Sequence, residues 1–340
     1  MEITGFTLKE LEEQLISFGM KKFRAKQIFK WVYDKGVFDF HKMTNISKEQ
    51  RSFLSENFKL SLPTVEFMQK SVDGTVKFAL KLCDGNIVES VLIPDEKRNT
   101  LCVSTQVGCR MGCKFCFTAR MGFKRNLSVA EIISQIIIAK FVISSDKPVT
   151  NLVFMGMGEP LDNFDNLVKS LKIILETEGL NFSSRRVTVS TCGLIDKMES
   201  FGKEFDINLA VSLHSAFDEK RSEIMPVNKK FNLSQLIKAC KNYPLKNRQR
   251  ITFEYIMIKD YNDSLEDAKK VVSVLGDLKS KVNLIRFNGF PDTFFQPSQY
   301  NVVRKFQEYL ISKGITATLR KSKGEDILAA CGQLAGKNIN

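Results

Sequence analysis

The spacing of apolar and polar residues divides the first 97 residues into two parts. Residues 1–60 contain the capping-box motif TLKE at 7–10, and leucines then follow at helical spacing. Two alternating runs come next, TVKFALKL and IVESVLIP, and the turn signal CDGN separates them. We therefore predict a helical accessory segment at 1–60 and a β-hairpin connecting segment at 61–97.

From about residue 98 the pattern changes to strand, turn and helix, repeated along the chain. This alternation predicts an α/β core at 98–300 with a parallel sheet, either doubly wound or a complete or partial barrel. A last helix, a strand and a loop follow at 301–340. Ligands of such folds bind at the carboxyl ends of the strands. The polar residues predicted at those ends are Glu159, Ser190, Thr191, Ser212, His214 and Asn288.

The charge of the chain favours an anionic partner. The net charge is +13, and residues 229–250 include seven basic residues and no acid. A solvated basic surface explains one such cluster equally well, but several clusters favour a phosphate backbone. No secretory signal or membrane-length apolar run is evident, so we expect a soluble intracellular protein with reduced thiols and no membrane partner.

Cysteines are the strongest chemical signal. Cys109, Cys113 and Cys116 have the spacing C-x3-C-x2-C, which is typical of ligands to an iron-sulfur cluster with one iron left open. A zinc site with Cys102 as the fourth ligand and a set of buried structural thiols are the alternatives. Phosphate-loop, dinucleotide-binding and H-E-x-x-H motifs are absent from the sequence.

Several motifs in order resemble a known family. CVSTQVGCRMGCKFC, GFKRNL, GMGEPLDN, VTVST, SLHS, NLIRFN and DILAACGQLAG are similar to the RlmN and Cfr family of radical S-adenosylmethionine (SAM) enzymes, which methylate adenine in ribosomal RNA. The resemblance implies a partial (β/α)6 radical SAM barrel with a small N-terminal helical and β-hairpin accessory domain. It also implies a 4Fe-4S cluster on Cys109, Cys113 and Cys116.

The same resemblance implies a radical route that uses two SAM molecules per turnover. One SAM methylates Cys331, and a second is cleaved at the cluster to a radical that activates this S-methyl group for addition to adenine. Cys102 then releases the protein–RNA adduct by forming a disulfide with Cys331, and Glu89 acts as the proton acceptor. Without the resemblance, Glu89 would lie on the wet face of a strand, and Cys331 would be a buried structural thiol.

Further expectations from the resemblance concern ligands and partners. The implied SAM contacts are Gly158, Glu159, Ser190, Ser212, Leu213, His214 and Asn288. The expected substrates are 23S rRNA at the peptidyl transferase centre and tRNA, the expected electron donor is an external flavodoxin-like protein, and we expect a cytoplasmic monomer. No role is assigned to Cys83, Cys192 and Cys240, which we expect to fill the core.

Alternatives remain open on the sequence alone. Phe117 follows the last cysteine of the triplet where the family mostly has a small residue. Arg286 resembles the Cfr-like branch that methylates carbon 8 of adenine, whereas many enzymes that methylate carbon 2 have proline there. The motifs GEP and LAG and the N-terminal FRAKQIFKWVY favour carbon 2. A non-enzymatic zinc RNA-binding protein and a radical SAM enzyme with a non-RNA substrate are the more distant alternatives.

Overall fold

A computed structural model describes residues 1–143, 147–246 and 249–335. Ser144, where the sequence predicts a helix to end, and Arg248 of the basic run lie outside the described residues, as do residues 336–340. No helix among the described residues is long and apolar enough to cross a membrane.

The N-terminal segment is helical, as predicted. Its α-helices are α1 (Leu8–Ser17), α2 (Phe23–Phe29) and α3 (Lys48–Asn57). The capping box at the start of α1 is confirmed, because the Glu10 backbone N–H donates to the Thr7 hydroxyl and the Glu10 carboxylate accepts the Thr7 N–H. A short turn at Ile3–Gly5 packs against a helix of the α/β core.

Three antiparallel strands follow, β1 (Thr64–Lys70), β2 (Val76–Lys81) and β3 (Ile87–Pro94). The hairpin of β2 and β3 is confirmed, whereas β1 is not evident from the sequence pattern. Most β1 side chains are exposed, so its sequence has no buried stripe that would mark it as a strand.

The α/β core supplies the remaining elements. Its strands are β4 (Asn99–Cys102), β5 (Gln106–Gly108), β6 (Phe123–Asn126), β7 (Asn151–Phe154), β8 (Val187–Thr191), β9 (Asn208–Ser212), β10 (Ile251–Met257), β11 (Ser280–Arg286) and β12 (Ala317–Arg320). Its helices are α4 (Phe117–Arg120), α5 (Val129–Ile138), α6 (Phe164–Leu175), α7 (Ile195–Glu204), α8 (Asp218–Ile224), α9 (Leu233–Asn242), α10 (Leu265–Leu275) and α11 (Tyr300–Ser312).

These elements form a partial (β/α)6 barrel, which confirms the predicted fold. One ten-stranded sheet runs β1-β2-β3-β4-β7-β8-β9-β10-β11-β12, antiparallel up to β4 and parallel from there on. Helices α5, α6, α7, α9, α10 and α11 connect consecutive parallel strands. Residues of β3 and β12 line one shared cavity, which requires a strongly curved sheet.

Candidate functional site

One cavity of about 180 Å³ lies at the carboxyl ends of the parallel strands, where the sequence predicts the ligand site. The predicted site residues that line it are Cys102, Cys109, Cys113, Cys116, Gly158, Glu159, Ser190, Ser212, His214, Asn288 and Cys331. Leu213 and Glu89 lie behind this lining. The Leu213 backbone N–H donates to the carbonyl oxygen of Glu254, at 3.0 Å.

The loop of residues 109–122, here called the cluster loop after its predicted role, connects β5 to β6. Its ends are held together by a hydrogen bond from the Cys109 N–H to the Gly122 carbonyl, at 3.0 Å. Gly108, just before the loop, has a positive φ of 74°, and a Cβ atom at this position would lie 1.7 Å from the Gly122 oxygen. Only glycine allows this close backbone approach, which brings the cysteines back over the barrel mouth.

Two further backbone contacts anchor the middle of the cluster loop. The Lys114 N–H donates to the Ile224 carbonyl at the end of α8, at 2.9 Å, and the Phe117 N–H donates to the Gly332 carbonyl, at 2.7 Å. The Phe117 ring also stacks on Phe290, with 5.2 Å between the ring centroids. The bulky residue after the last cluster cysteine is therefore accommodated by an aromatic partner.

The three cysteines of this loop present three thiols to one cavity, a donor set that suits a 4Fe-4S cluster. Cys109, Cys113 and Cys116 line the same cavity, yet no three cysteine, histidine or acidic side chains in the described part of the chain lie close enough to hold one metal ion. Each thiolate of a 4Fe-4S site binds a different iron, so cluster ligands lie farther apart than the ligands of a single ion. Burial raises the pKa of all three thiols, that of Cys109 to about 12.

Glu159 connects two strand ends beneath the cavity. Its Oε1 accepts the Leu161 N–H at 3.1 Å and its Oε2 accepts the Cys192 N–H at 2.8 Å. Burial raises the pKa of this carboxyl. Its neighbour Gly158 has a φ of 99°, and a Cβ there would lie 2.5 Å from the Gln106 side chain. The GMGEP motif thus needs glycine for packing against β5.

His214 is buried and neutral. It has a positive φ of 54°, its Nδ1 accepts the Ile256 N–H at 3.1 Å, and its ring meets Phe115 of the cluster loop edge-on, with 4.6 Å between centroids. Burial lowers the pKa of His214 to about 3. Because Nδ1 is an acceptor, the neutral ring carries its proton on Nε2.

This buried histidine predicts a loss of stability in acid. In the unfolded chain His214 takes up a proton near pH 6.5, whereas in the folded chain it stays neutral down to about pH 3. The free energy of unfolding therefore falls as pH drops below 6.5. Between pH 7.5 and 5.5 we expect His214 to account for a loss of roughly 1.4 kcal/mol. Urea unfolding at both pH values should show a smaller loss in H214N than in wild type. The exposed His41 provides the control, and an H41N effect equal to that of H214N would contradict the assignment.

Cys102 and Cys331 face the same part of the cavity, together with Arg320 and Glu254. Burial and the nearby Cys331 together raise the pKa of the Cys102 thiol to about 12, against an opposing effect of the Arg320 guanidinium. In turn, Cys331, Glu254 and Cys102 raise the pKa of Arg320. The two thiols are therefore close enough to influence each other, although their separation in sequence is large.

The loop that carries Cys331 is bound to the barrel on one side. Asn288 Nδ2 donates to the Cys331 carbonyl at 3.2 Å, and the Thr118 hydroxyl donates to the Leu334 carbonyl at 2.7 Å. Thr118 belongs to the cluster loop, as does Phe117, which bonds Gly332. Positioning of the loop that carries Cys331 and of the cluster loop is therefore coupled.

On its other side the same segment is bound to the turn between β1 and β2. The Ser71 hydroxyl donates to Asp326 Oδ1 at 2.5 Å, and the Gly324 N–H donates to Asp73 Oδ2 at 3.1 Å. The Val72 N–H adds a third bond to Asp326, at 3.2 Å. The connecting segment thus binds the chain just before the loop that carries Cys331.

Glu89 is fully buried, so the interpretation that places it on a wet strand face is wrong. Its Oε1 lies 3.5 Å from Lys77 Nζ, and its Oε2 accepts the Ala335 N–H at 2.7 Å. The side-chain exposures of Lys77 and Glu89 are 6% and 0%. The cation and the backbone donor compensate the buried carboxylate, and the second bond reaches the chain just after the Cys331 loop.

The remaining cysteines differ from one another. Cys192 and Cys240 are buried, as expected, but Cys83 is exposed at the hairpin turn after β2, so core filling is wrong for Cys83. Sequence reasoning missed Arg320 and Glu254 as cavity residues. Arg320 ends β12, so the criterion that found Glu159, a polar residue at a strand end, applies to it as well.

Comparisons with known proteins agree with this geometry. Residues 1–60 match the ribosomal RNA large subunit methyltransferase N-terminal domain family, and residues 103–272 match the radical SAM superfamily. The dual-specificity RNA methyltransferase RlmN of Geobacter sulfurreducens is 47% identical, over 99% of this chain and 92% of the relative. That of Geotalea uraniireducens is 48% identical, over 99% and 97%.

A solved structure agrees over the full length. The crystal structure of a radical SAM methyltransferase from Sphaerobacter thermophilus superposes with a TM-score of 0.95 at 39% identity, covering 99% of this chain and all of that one. Radical SAM membership implies a 4Fe-4S cluster and SAM, which the cysteine triplet and the cavity fit. The chain belongs to the RlmN family of SAM-dependent radical SAM RNA methyltransferases.

Proposed function

We propose that this enzyme methylates carbon 2 of an adenine in 23S rRNA, at the peptidyl transferase centre, and an adenine in tRNA. The observation that carries the proposal is the meeting of two cysteine sets at one cavity, the triplet of the cluster loop and the pair Cys102 and Cys331. The relatives' description as dual-specificity RNA methyltransferases supports both classes of RNA. The net charge of +13 suits a polyanionic substrate.

The substrate atom explains why a simple methyl transfer does not suffice. Carbon 2 of adenine is an electron-poor carbon and not a nucleophile, so it cannot displace the methyl group of SAM directly. The bound cluster and SAM supply radical chemistry, with two SAM consumed per turnover. Glu159, with Gly158, Ser190, Ser212, Leu213, His214 and Asn288, is proposed to hold SAM beside Cys109, Cys113 and Cys116.

Two thiols of the chain are then proposed to carry the methyl group and to release the product. Cys331 holds the methyl group as S-methylcysteine. In the last step Cys102 attacks the Cys331 sulfur, so that the S–S bond forms while the bond from this sulfur to the transferred carbon breaks, and the carbon stays on adenine and takes up a proton. The shared surroundings of the two thiols near Arg320 support this pairing. Glu89 is the proposed proton acceptor, and its bond to Ala335 keeps it adjacent to the Cys331 loop.

The position of Arg286 bears on the choice between carbon 2 and carbon 8. Its Nε donates to the Ser298 carbonyl at 2.9 Å, and its guanidinium stacks on Tyr300 at 3.9 Å. These contacts give Arg286 a structural role, so its presence is weak support for carbon 8. We therefore favour carbon 2 over the Cfr-like alternative.

Mass spectrometry of rRNA and tRNA tests the proposal. The protein is purified without oxygen and incubated with SAM, a reductant and each RNA, and the modified nucleosides are then identified. We expect 2-methyladenosine in both RNAs, together with iron and sulfide in the protein. Carbon-8 methylation would replace the proposal with the Cfr-like reaction, and no RNA product from an iron-loaded protein would refute it.

Related proposals concern the cellular setting. We propose an external flavodoxin-like electron donor, a monomer, and a cytoplasmic location, because the family acts on RNA and no described helix spans a membrane. We likewise propose that the chain divides into segments after residues 60, 97 and 300, and that residues 1–60 form an RNA-binding accessory segment.

A further inference from the structure

Arg221 on α8 is among the largest fully buried side chains of the protein, with 0% exposure. Its guanidinium donates to four oxygens. Nε bonds the Leu213 carbonyl at 3.1 Å, Nη1 bonds Asn228 Oδ1 at 2.6 Å, and Nη2 bonds the Cys192 and Ser212 carbonyls at 2.8 and 2.9 Å. All four acceptors are neutral, so they satisfy the hydrogen-bonding capacity of Arg221 without cancelling its charge.

The nearest acid is reached only indirectly. Asn228 Nδ2 donates to Asp218 Oδ1 at 3.0 Å, and Asp218 is exposed, so solvent screens its charge. No direct ion pair to Arg221 occurs among the described residues. Burial lowers the pKa of Arg221, but a guanidinium stays charged in proteins. A buried positive charge without a carboxylate partner is costly, and it persists where it has another counter-charge.

Two candidates for this counter-charge adjoin Cys192. Glu159, whose Oε2 accepts the Cys192 N–H at 2.8 Å, is proposed to hold SAM, and the cluster site is the second candidate. Helix α8 ends at Ile224, whose carbonyl accepts the Lys114 N–H of the cluster loop. Cys113, Cys192 and Ile224 pack in one buried apolar group, and the Cys192 carbonyl binds Arg221 directly. The guanidinium therefore lies behind a predicted cluster ligand, and buried protein groups rather than water separate the two.

We propose that the buried charge of Arg221 raises the reduction potential of the cluster held by Cys109, Cys113 and Cys116. Reduction adds one electron from an external one-electron donor and makes the cluster more negative by one charge. A fixed cation in a region of low dielectric constant stabilises that extra charge more than it stabilises the oxidised form. Charge and solvent exposure around a cluster are known to set its potential. The inference rests on the proposed cluster, and Arg221 acts as a positioning residue that does not touch the substrate.

Two variants at this position separate charge from hydrogen bonding. R221Q removes the charge and keeps a donor, whereas R221K keeps the charge, and both lose the forked geometry. Anaerobic redox titration of the iron-loaded proteins, followed by electron paramagnetic resonance of the reduced cluster, gives the midpoint potential. At the wild-type midpoint we expect the ratio of reduced to oxidised cluster in R221Q to fall at least tenfold, which equals 59 mV for a one-electron couple. R221K should stay within threefold of wild type.

K220Q is the matched control. Lys220 precedes Arg221 on α8, but its Nζ binds Asp267 at 2.7 Å and it is 36% exposed, so its removal should leave the potential unchanged. An unchanged potential in R221Q, or equal shifts in R221Q and R221K, would overturn the inference while leaving the proposed function intact. A wild-type protein that binds no iron and sulfide would instead refute the cluster.

A further variant applies if both Arg221 substitutions lose the cluster by misfolding. D218N removes the distant carboxylate and keeps an oxygen that can accept the bonds from Asn228 and Leu233. Because solvent screens Asp218 only in part, its removal should move the midpoint upward by less than the R221Q shift. A midpoint that falls in D218N would overturn the inference.

Discussion

Replacing Cys331 with alanine is expected to abolish methyl transfer to RNA while leaving the iron content of the protein unchanged. The proposed route passes through a methyl group covalently held on this sulfur, so we expect a loss of about 1000-fold or more. The alanine removes only a sulfur atom from a loop held by backbone bonds at Cys331, Gly332 and Leu334. Mass spectrometry of the RNA and iron analysis of the same preparation give both readouts.

C240A is the matched control for this variant. Cys240 is another buried thiol, on α9 and outside the cavity lining, so its loss should leave methyl transfer intact. Normal RNA methylation by C331A would contradict the S-methylcysteine route. It would favour a different radical SAM reaction at the same cavity.

Replacing Cys102 with alanine is expected to trap the enzyme on its substrate. Cys102 has the proposed task of attacking the Cys331 sulfur to release the adduct, so C102A should complete the earlier steps and stall. We expect an RNA-linked form of the protein to accumulate, seen as a nuclease-sensitive band of higher mass on a denaturing gel. Turnover should fall to at most about one event per enzyme, since the second thiol of the pair is missing.

The double variant C102A/C331A distinguishes this adduct from nonspecific crosslinking. Without the Cys331 sulfur no adduct can form, so the band should vanish. A band of equal intensity in the double variant, or normal multiple turnover by C102A alone, would exclude Cys102 as the releasing thiol.

The strands and the polar residues at their carboxyl ends are predictable, because both depend on short-range patterns. Glu159, Ser190, Ser212 and His214 are all found by this rule, and they line one cavity. Helices α8 and α9 are missed, although α9 has the signals that identify α1. It begins with a capping box formed by Asn232 and Gln235, and its buried side chains have the helical spacing of Leu233, Leu236 and Cys240.

The burial of charged residues cannot be predicted from such short-range patterns. Glu89 reads as an exposed strand residue because its compensating groups, Lys77 and the Ala335 N–H, are set by strand pairing and by chain packing across 246 positions. Arg221 lies in a helix whose other charged residues are exposed or partly exposed, and its acceptors are carbonyls at the ends of β8 and β9. No local sequence pattern encodes contacts of this kind.

The bonds between the β1–β2 turn and the Cys331 segment also determine where the chain tolerates change. Exposed hairpin turns ordinarily accept insertions and substitutions. The turn at residues 71–75 differs, because Ser71 and Asp73 hold Asp326 and Gly324 more than 250 positions away in the chain. Lengthening it by one residue would displace the support of the loop that carries Cys331, so an insertion in this turn would shift a cysteine far away in the chain.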